Sequence, residues 1–188
     1  MQPADNSQSK EGQRLAAVRR YDILDSPPDG AFDRITALAA RRLGVPISII
    51  SIVDEDRIWF KSHHGIHVEQ IDREPGLCAS AIMEDAPYLV EDARIDPRSL
   101  ANPLVAGEFG LRFYAAVPLT TSDGHSLGTL CVIDKEPRSI EDHQVEDLKA
   151  TLENNPSESL QEIQAGQTLV LDHIKSTTNN GNMLTEDT

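Results

Sequence analysis

Basic charge is scarce in this chain: 17 Lys and Arg residues stand against 31 Asp and Glu, a net charge of −14. Nucleic-acid binding draws on clustered Lys and Arg that release counterions from phosphates, so neither DNA nor RNA is expected as a partner. Long hydrophobic runs are missing as well. The longest apolar stretch, Val45 to Val53, is broken by Pro46, Ser48 and Ser51, and the first twenty residues hold no apolar core of the secretory kind. A soluble, cytoplasmic chain without a membrane partner is expected. Cysteine is limited to Cys78 and Cys131, each inside an apolar run, which suits reduced, buried thiols better than a disulfide framework. No Cys-x-x-Cys or His-Glu-x-x-His spacing accompanies His63, His64 and His67, so a solvated loop end is expected there and no metal site. A phosphate-cradling glycine run and an arginine cluster are also lacking, which argues against cyclic nucleotides, and the sequence identifies no cofactor.

What the chain does have is enough apolar residue for one real core: 39% of 188 residues, sufficient for one domain and an appendage. Leu15, Val18, Ile23 and Leu24 predict an amphipathic helix from Glu11 to Leu24, stopped by Pro27-Pro28. A second helix follows through Phe32, Ile35, Leu38, Ala39 and Leu43, closed by Gly44 and Pro46. Ile47 to Val53 reads as a central strand and Arg57 to His63 as its hairpin partner. The chain then reads as irregular up to Gly76, with a short helix over Leu77 to Glu84, a short strand over Tyr88 to Glu91 and a long connection over Asp92 to Gly110. That connection carries Leu100, Leu104, Val105 and Phe109, so it is expected to pack as a lid. Arg112 to Arg138 reads as two adjacent antiparallel strands that are apolar on both faces, which places them mid-sheet with cover on both sides. Ser139 is read as the N-cap of a last helix with stripe Ile140, Val145, Leu148 and Leu152. From Ser139 onward ten acids face two lysines, more than half of the net charge. A further short helix is expected from Ser159 to about Lys175, followed by a disordered end.

The blocks RRYDILDSPPDGAFDRITALAARRLGVPISIISIVDEDRIWFKS, GLCASAI, VEDARIDPR, NPLV, LRFYAAVPL and DGHSLGTLCVIDKEPR resemble, in order and with compatible spacing, the GAF domains at the N-terminus of bacterial sensor histidine kinases and diguanylate cyclases. The resemblance covers roughly Arg14 to Leu152. It implies an α+β, PAS-related fold: a six-stranded antiparallel sheet with helices on one face and a loop-covered pocket on the other. Residues 11–152 are then the GAF domain, residues 1–10 a disordered N-terminus and residues 153–188 an acidic tail, partly helical or disordered. The implied role is sensory or regulatory, in two-component or related signal transduction, with an unidentified small-molecule ligand or a relay through a homodimer of the first and last helices. No kinase or cyclase module follows Leu152, so the output is expected on a separate kinase or cyclase protein, or the chain is a truncated member of a longer sensor. The enzyme reading that competes is a thiol-dependent free methionine sulfoxide reductase of GAF fold using Cys78 with Cys131.

For the regulatory reading the expected ligand-lining residues are Phe60, Cys78, Asp92, Asp96, Phe109, Tyr114 and Cys131, with no catalytic residue. Asp96 and Arg98 are also suited to tying the long loop by a charged hydrogen bond. Trp59 alternates with Phe60 and, facing outward, would suit a dimer contact. Large side chains such as Phe60, Phe109, Phe113 and Tyr114 can instead collapse into the space a guest needs. Glu91 and Asp92 are adjacent on a strand and face apart, which excludes a paired acid/base role.

Overall fold

A computed structural model describes residues 6–121 and 123–153 of the chain. Two helices come first, α1 (Asn6–Tyr21) and α2 (Gly30–Leu43), then the hairpin β1 (Ile47–Val53) and β2 (Arg57–His64) and a short strand β3 (Gln70–Asp72). Next are α3 (Leu77–Ala81), β4 (Tyr88–Val90) and α4 (Pro103–Ala106), followed by β5 (Phe113–Thr120), β6 (Ser126–Asp134) and α5 (Asp142–Glu153). The six strands form one sheet in the order β3-β2-β1-β6-β5-β4, and every neighbouring pair is antiparallel. This is the α+β arrangement expected from the sequence.

Several boundaries differ from expectation. Helix α1 begins at Asn6 and ends at Tyr21, rather than running from Glu11 to Leu24. Strand β3 lies in the stretch read as irregular; it is three residues long and mostly exposed, so it carries no hydrophobic period. Helix α3 stops at Ala81, three residues short of Glu84. Helix α5 begins at Asp142, not after Ser139, because Glu141 takes the capping position: its carbonyl accepts from Gln144 and Val145, and its N–H donates to the Gln144 side chain. The expected helix from Ser159 and the acidic tail lie outside the described residues.

Helix α2 shows why its ends are legible. Asp29 caps it, accepting from the Ala31 N–H at 2.9 Å, and Gly44 closes it at φ 63°, a left-handed conformation that costs glycine nothing.

The sheet is dry on both faces because β1 and β6 are buried along their whole length. One face, carrying Ile50, Ile52, Phe113, Ala115, Val117, Leu130 and Val132, packs against α1, α2 and α5 through Val18, Phe32, Ile35, Ala39, Leu43 and Leu148. Trp59 is in this layer and only 8% exposed, so it is not an outward dimer contact. Phe113 is there too, on the side away from any lid. The hairpin register shifts between Ile50 and Ser51, leaving Lys61 as the extra residue of β2. The bulge lets the Lys61 ammonium donate to Ser26 Oγ at 2.8 Å and to the Pro27 carbonyl at 2.7 Å, which anchors the double-proline connection.

Helix α1 is tied down by charge. Buried Arg14 donates to the Val53 carbonyl at 2.7 Å and pairs with Glu11, while Arg73 donates to the same Glu11 carboxylate at 2.7 Å. The Arg14 hydrogen bond, reinforced by Arg73 and opposed by burial, lowers the Glu11 carboxyl to about 2 from 4.5. A depressed carboxylate contributes stability that is present above the unfolded value and lost as pH falls through the folded one. Glu11→Gln is therefore expected to cost about 1 kcal/mol at neutral pH after allowance for solvent screening. The difference from the parent chain should vanish between about pH 4.5 and pH 2 in thermal melts.

Candidate functional site

The face of the sheet away from α1, α2 and α5 carries Ile47, Ile49, Val53, Ile58, Phe60, Tyr114, Ala116, Cys131 and Ile133. It is covered by Leu77, Cys78, Ala81 and Ile82 in and beside α3, by Val105 of α4 and by Leu111, with Leu104 and Phe109 half-buried at the rim. The covering loop of residues 92–110 thus packs as a lid through Leu104, Val105 and Phe109, while Leu100, also expected to pack, is 53% exposed. What it covers is a second apolar core.

Polar groups nevertheless sit inside that core. Ser51 and Thr129 are paired across β1 and β6, both fully buried, with their hydroxyls 2.9 Å apart. Cys131 follows Thr129 on the same face of β6 and lies opposite Ala116. Helix α3 lays Cys78 over them, and the buried Tyr114 phenol donates to Cys78 Sγ at 3.1 Å. The neighbouring Cys131 thiol lowers the pKa of Cys78 and so favours its ionisation, aided by Tyr114, Ser51 and Thr129 against the opposing effect of burial. The same contact raises Cys131, because two adjacent thiols do not both ionise, and burial raises Tyr114.

The seven expected ligand-lining residues therefore divide. Phe60, Cys78, Tyr114 and Cys131 meet in one buried cluster, and Phe109 packs against it. Asp92 and Asp96 are elsewhere: each is held by an arginine of its own loop, Asp92 by Arg94 at 2.6 Å and Asp96 by Arg98 at 2.7 Å. Arg98 also donates to the Leu89 carbonyl at 2.6 Å and stacks over the Tyr88 ring at 4.5 Å, so the lid is tied to β4 as its charges suggested. His63, His64 and His67 form no centre; among the described residues no group of three or more His, Cys, Asp or Glu could hold a metal ion. No described helix is long and apolar enough to cross a membrane.

Two features escaped the sequence reading. The first is a cavity of about 430 Å³ beside the open edge of β2, lined by Asp25, Ser26, Asp33, Lys61, His63 and Glu69 among others; of the expected lining residues it includes Phe60. The second is a junction at Glu91. Its carbonyl accepts from the Arg138 N–H at 3.0 Å and its carboxylate from the Ile140 N–H at 2.9 Å. Arg138 in turn pairs with Asp134 and donates to the carbonyls of Leu43 and Gly44. The residue that opens the lid is thus bonded to the segment that leads into α5. Glu91 offered no signal beyond its charge, since its partners are backbone groups about fifty residues away.

The sequence profile of the GAF domain matches residues 27–153. A cyclic di-GMP phosphodiesterase of Pseudomonas aeruginosa is 43% identical over 128 residues, covering 68% of this chain and 22% of that enzyme. The chain thus spans well under two thirds of that relative. Among solved structures, the GAF domain of an Acinetobacter phosphoenolpyruvate-protein phosphotransferase superposes with a TM-score of 0.55 at 18% identity, covering 91% of this chain and 98% of that one. A type II free methionine-R-sulfoxide reductase of Thermoplasma acidophilum gives 0.51 at 13% identity, with 90% and 97% covered, which is a likeness of fold. With the profile lying over all six strands and over α2 to α5, the chain belongs to the GAF domain family.

Proposed function

We propose that this GAF domain is a sensory relay in signal transduction, in which a change at the lid over the far sheet face is passed to α5. The observation that carries this reading is the Glu91 junction, where the last residue before the lid holds the approach to α5 by two hydrogen bonds. A second tie runs in parallel: the Ala93 N–H donates to the Arg112 carbonyl, and the Arg112 N–H donates to the Asp134 carbonyl beside the Arg138 ion pair. Displacing the lid strains both ties, and α5 must follow or release them. The relative from Pseudomonas, of which the matching part is about a fifth, supports a role as the regulatory part of a larger signalling system.

The input is a small molecule taken up at the lid or in the β2-edge cavity, and the output passes through a homodimer built on the outer faces of α1 and α5. A separate kinase or cyclase is the proposed receiver of that output. The reductase reading needs a standing pocket that seats a whole free amino acid against Cys78, yet Cys78 and Cys131 are only 6% and 0% exposed under α3, so the relay is preferred. Native mass spectrometry on freshly purified protein, followed by calorimetry against a panel of nucleotides, amino acids and organic acids, tests the proposal. A dimer with a bound metabolite, or one responding to the panel, supports it. A monomer with neither overturns the sensor.

A further inference from the structure

The polar island under α3 is more elaborate than filling a core requires. Cysteine alone would serve as a small apolar residue, but here Tyr114 spends its buried hydroxyl on Cys78 Sγ at 3.1 Å. Ser51 and Thr129, their hydroxyls paired at 2.9 Å, lie on the sheet face below, and with Cys131 and Tyr114 they hold the Cys78 thiol below its usual pKa. Donors converging on sulfur favour a thiolate over a thiol. Cys131 lies in the same buried cluster, on the strand that α3 packs over, although it is 53 residues away in the chain. Both thiols are free.

We propose that Cys78 and Cys131 form an oxidative modification site, in which a hydroperoxide converts the dithiol to a disulfide joining α3 to β6. The Cys78 thiolate attacks the distal oxygen of the hydroperoxide; the O–O bond breaks, an alcohol or water leaves, and Cys78 becomes a sulfenic acid. The Cys131 thiol then attacks that sulfur, forming the S–S bond as the S–O bond breaks and water departs with the thiol proton. Two electrons pass from the two sulfurs to the peroxide bond.

Placement sets the order of attack. Cys78 is 6% exposed on a five-residue helix, while Cys131 is 0% exposed on a central strand. A helix that short has little stability of its own and opens locally at small cost. The exposed Met83 one residue past its C-cap marks where the cover meets solvent. Tyr114 is a positioning residue here, holding the sulfur and its charge rather than touching the peroxide. The proposal does not depend on the relay, since it needs neither a metabolite nor a partner.

Intact mass spectrometry of the full chain decides it. Before oxidation, denaturation in iodoacetamide should add two alkyl groups. After a small excess of hydrogen peroxide, the monomer should be two hydrogen masses lighter and take up none. In Cys131→Ser, dimedone should mark Cys78 alone, and Tyr114→Phe should slow thiol loss about tenfold and move its pH midpoint upward. Wild-type protein that still takes up two alkyl groups after peroxide, or that reacts only by cross-linking between chains, overturns the proposal even if the variants fail to fold.

Discussion

Gly128→Ala is expected to cost at least about 3 kcal/mol and to lower the melting temperature by about 10 °C. A β-carbon at this position would lie 1.7 Å from the Ser51 carbonyl oxygen and 2.9 Å from the Ile52 Cα. Both are backbone atoms of β1, paired with β6 at the middle of the sheet, so no side chain can swing aside to make room. The strands must separate, and with them the hydroxyl pair of Ser51 and Thr129. Gly12→Ala is the matched control: the residue lies in α1 with open space around it, so the substitution should raise stability by up to about 1 kcal/mol through helix propensity alone. Denaturant melts of the two variants beside the parent provide the comparison. Equal stability for both would mean that β1 and β6 do not approach as described.

Leu148→Ala is expected to cost about 3 kcal/mol by opening a cavity under α5. Leu148 is fully buried in the core shared with α2 and is the largest buried side chain of its helix; Val145, at 8% exposure, and the fully buried Thr151 are the others. The polar fastening of α5 is slight by comparison: the Thr151 hydroxyl donates to the Asp147 carbonyl of its own helix and accepts from Arg42 of α2 at a long 3.4 Å. Docking of α5 therefore rests on apolar burial, and its loss should expose the helix to hydrogen exchange well before the sheet exchanges. A variant in which α5 and the sheet still exchange together would show that other contacts hold the helix.

The legible parts of this fold are those where local chemistry and burial agree. The strands β1 and β6 announced themselves as apolar on both faces, and α2 by its three-and-four spacing between Asp29 and Gly44. Strand β3 did not, because three exposed residues carry no period and its pairing with β2 is a tertiary event. Trp59 was misplaced for a related reason: alternation separates it from Phe60, yet only the location of the helices decides which face is outward. Among the site residues, the cysteines and Tyr114 are visible as unusual side chains in apolar stretches. Ser51 and Thr129 carry the same signal, polar residues interrupting buried strands. Arg98 paired as its sequence neighbourhood suggested, since Asp96 lies two residues away. Glu91 was beyond reach, because its role is set by main-chain groups that only the assembled sheet brings near.

The relay claim is tested most directly by hydrogen exchange on Glu91→Ala. The substitution removes the bond to the Ile140 N–H and leaves the strand pairing of β4 intact. If the junction couples the two elements, exchange should rise about fivefold, the equivalent of about 1 kcal/mol, both in the lid at 92–110 and in the first turn of α5. Faster exchange confined to one of them, or to neither, would contradict the account.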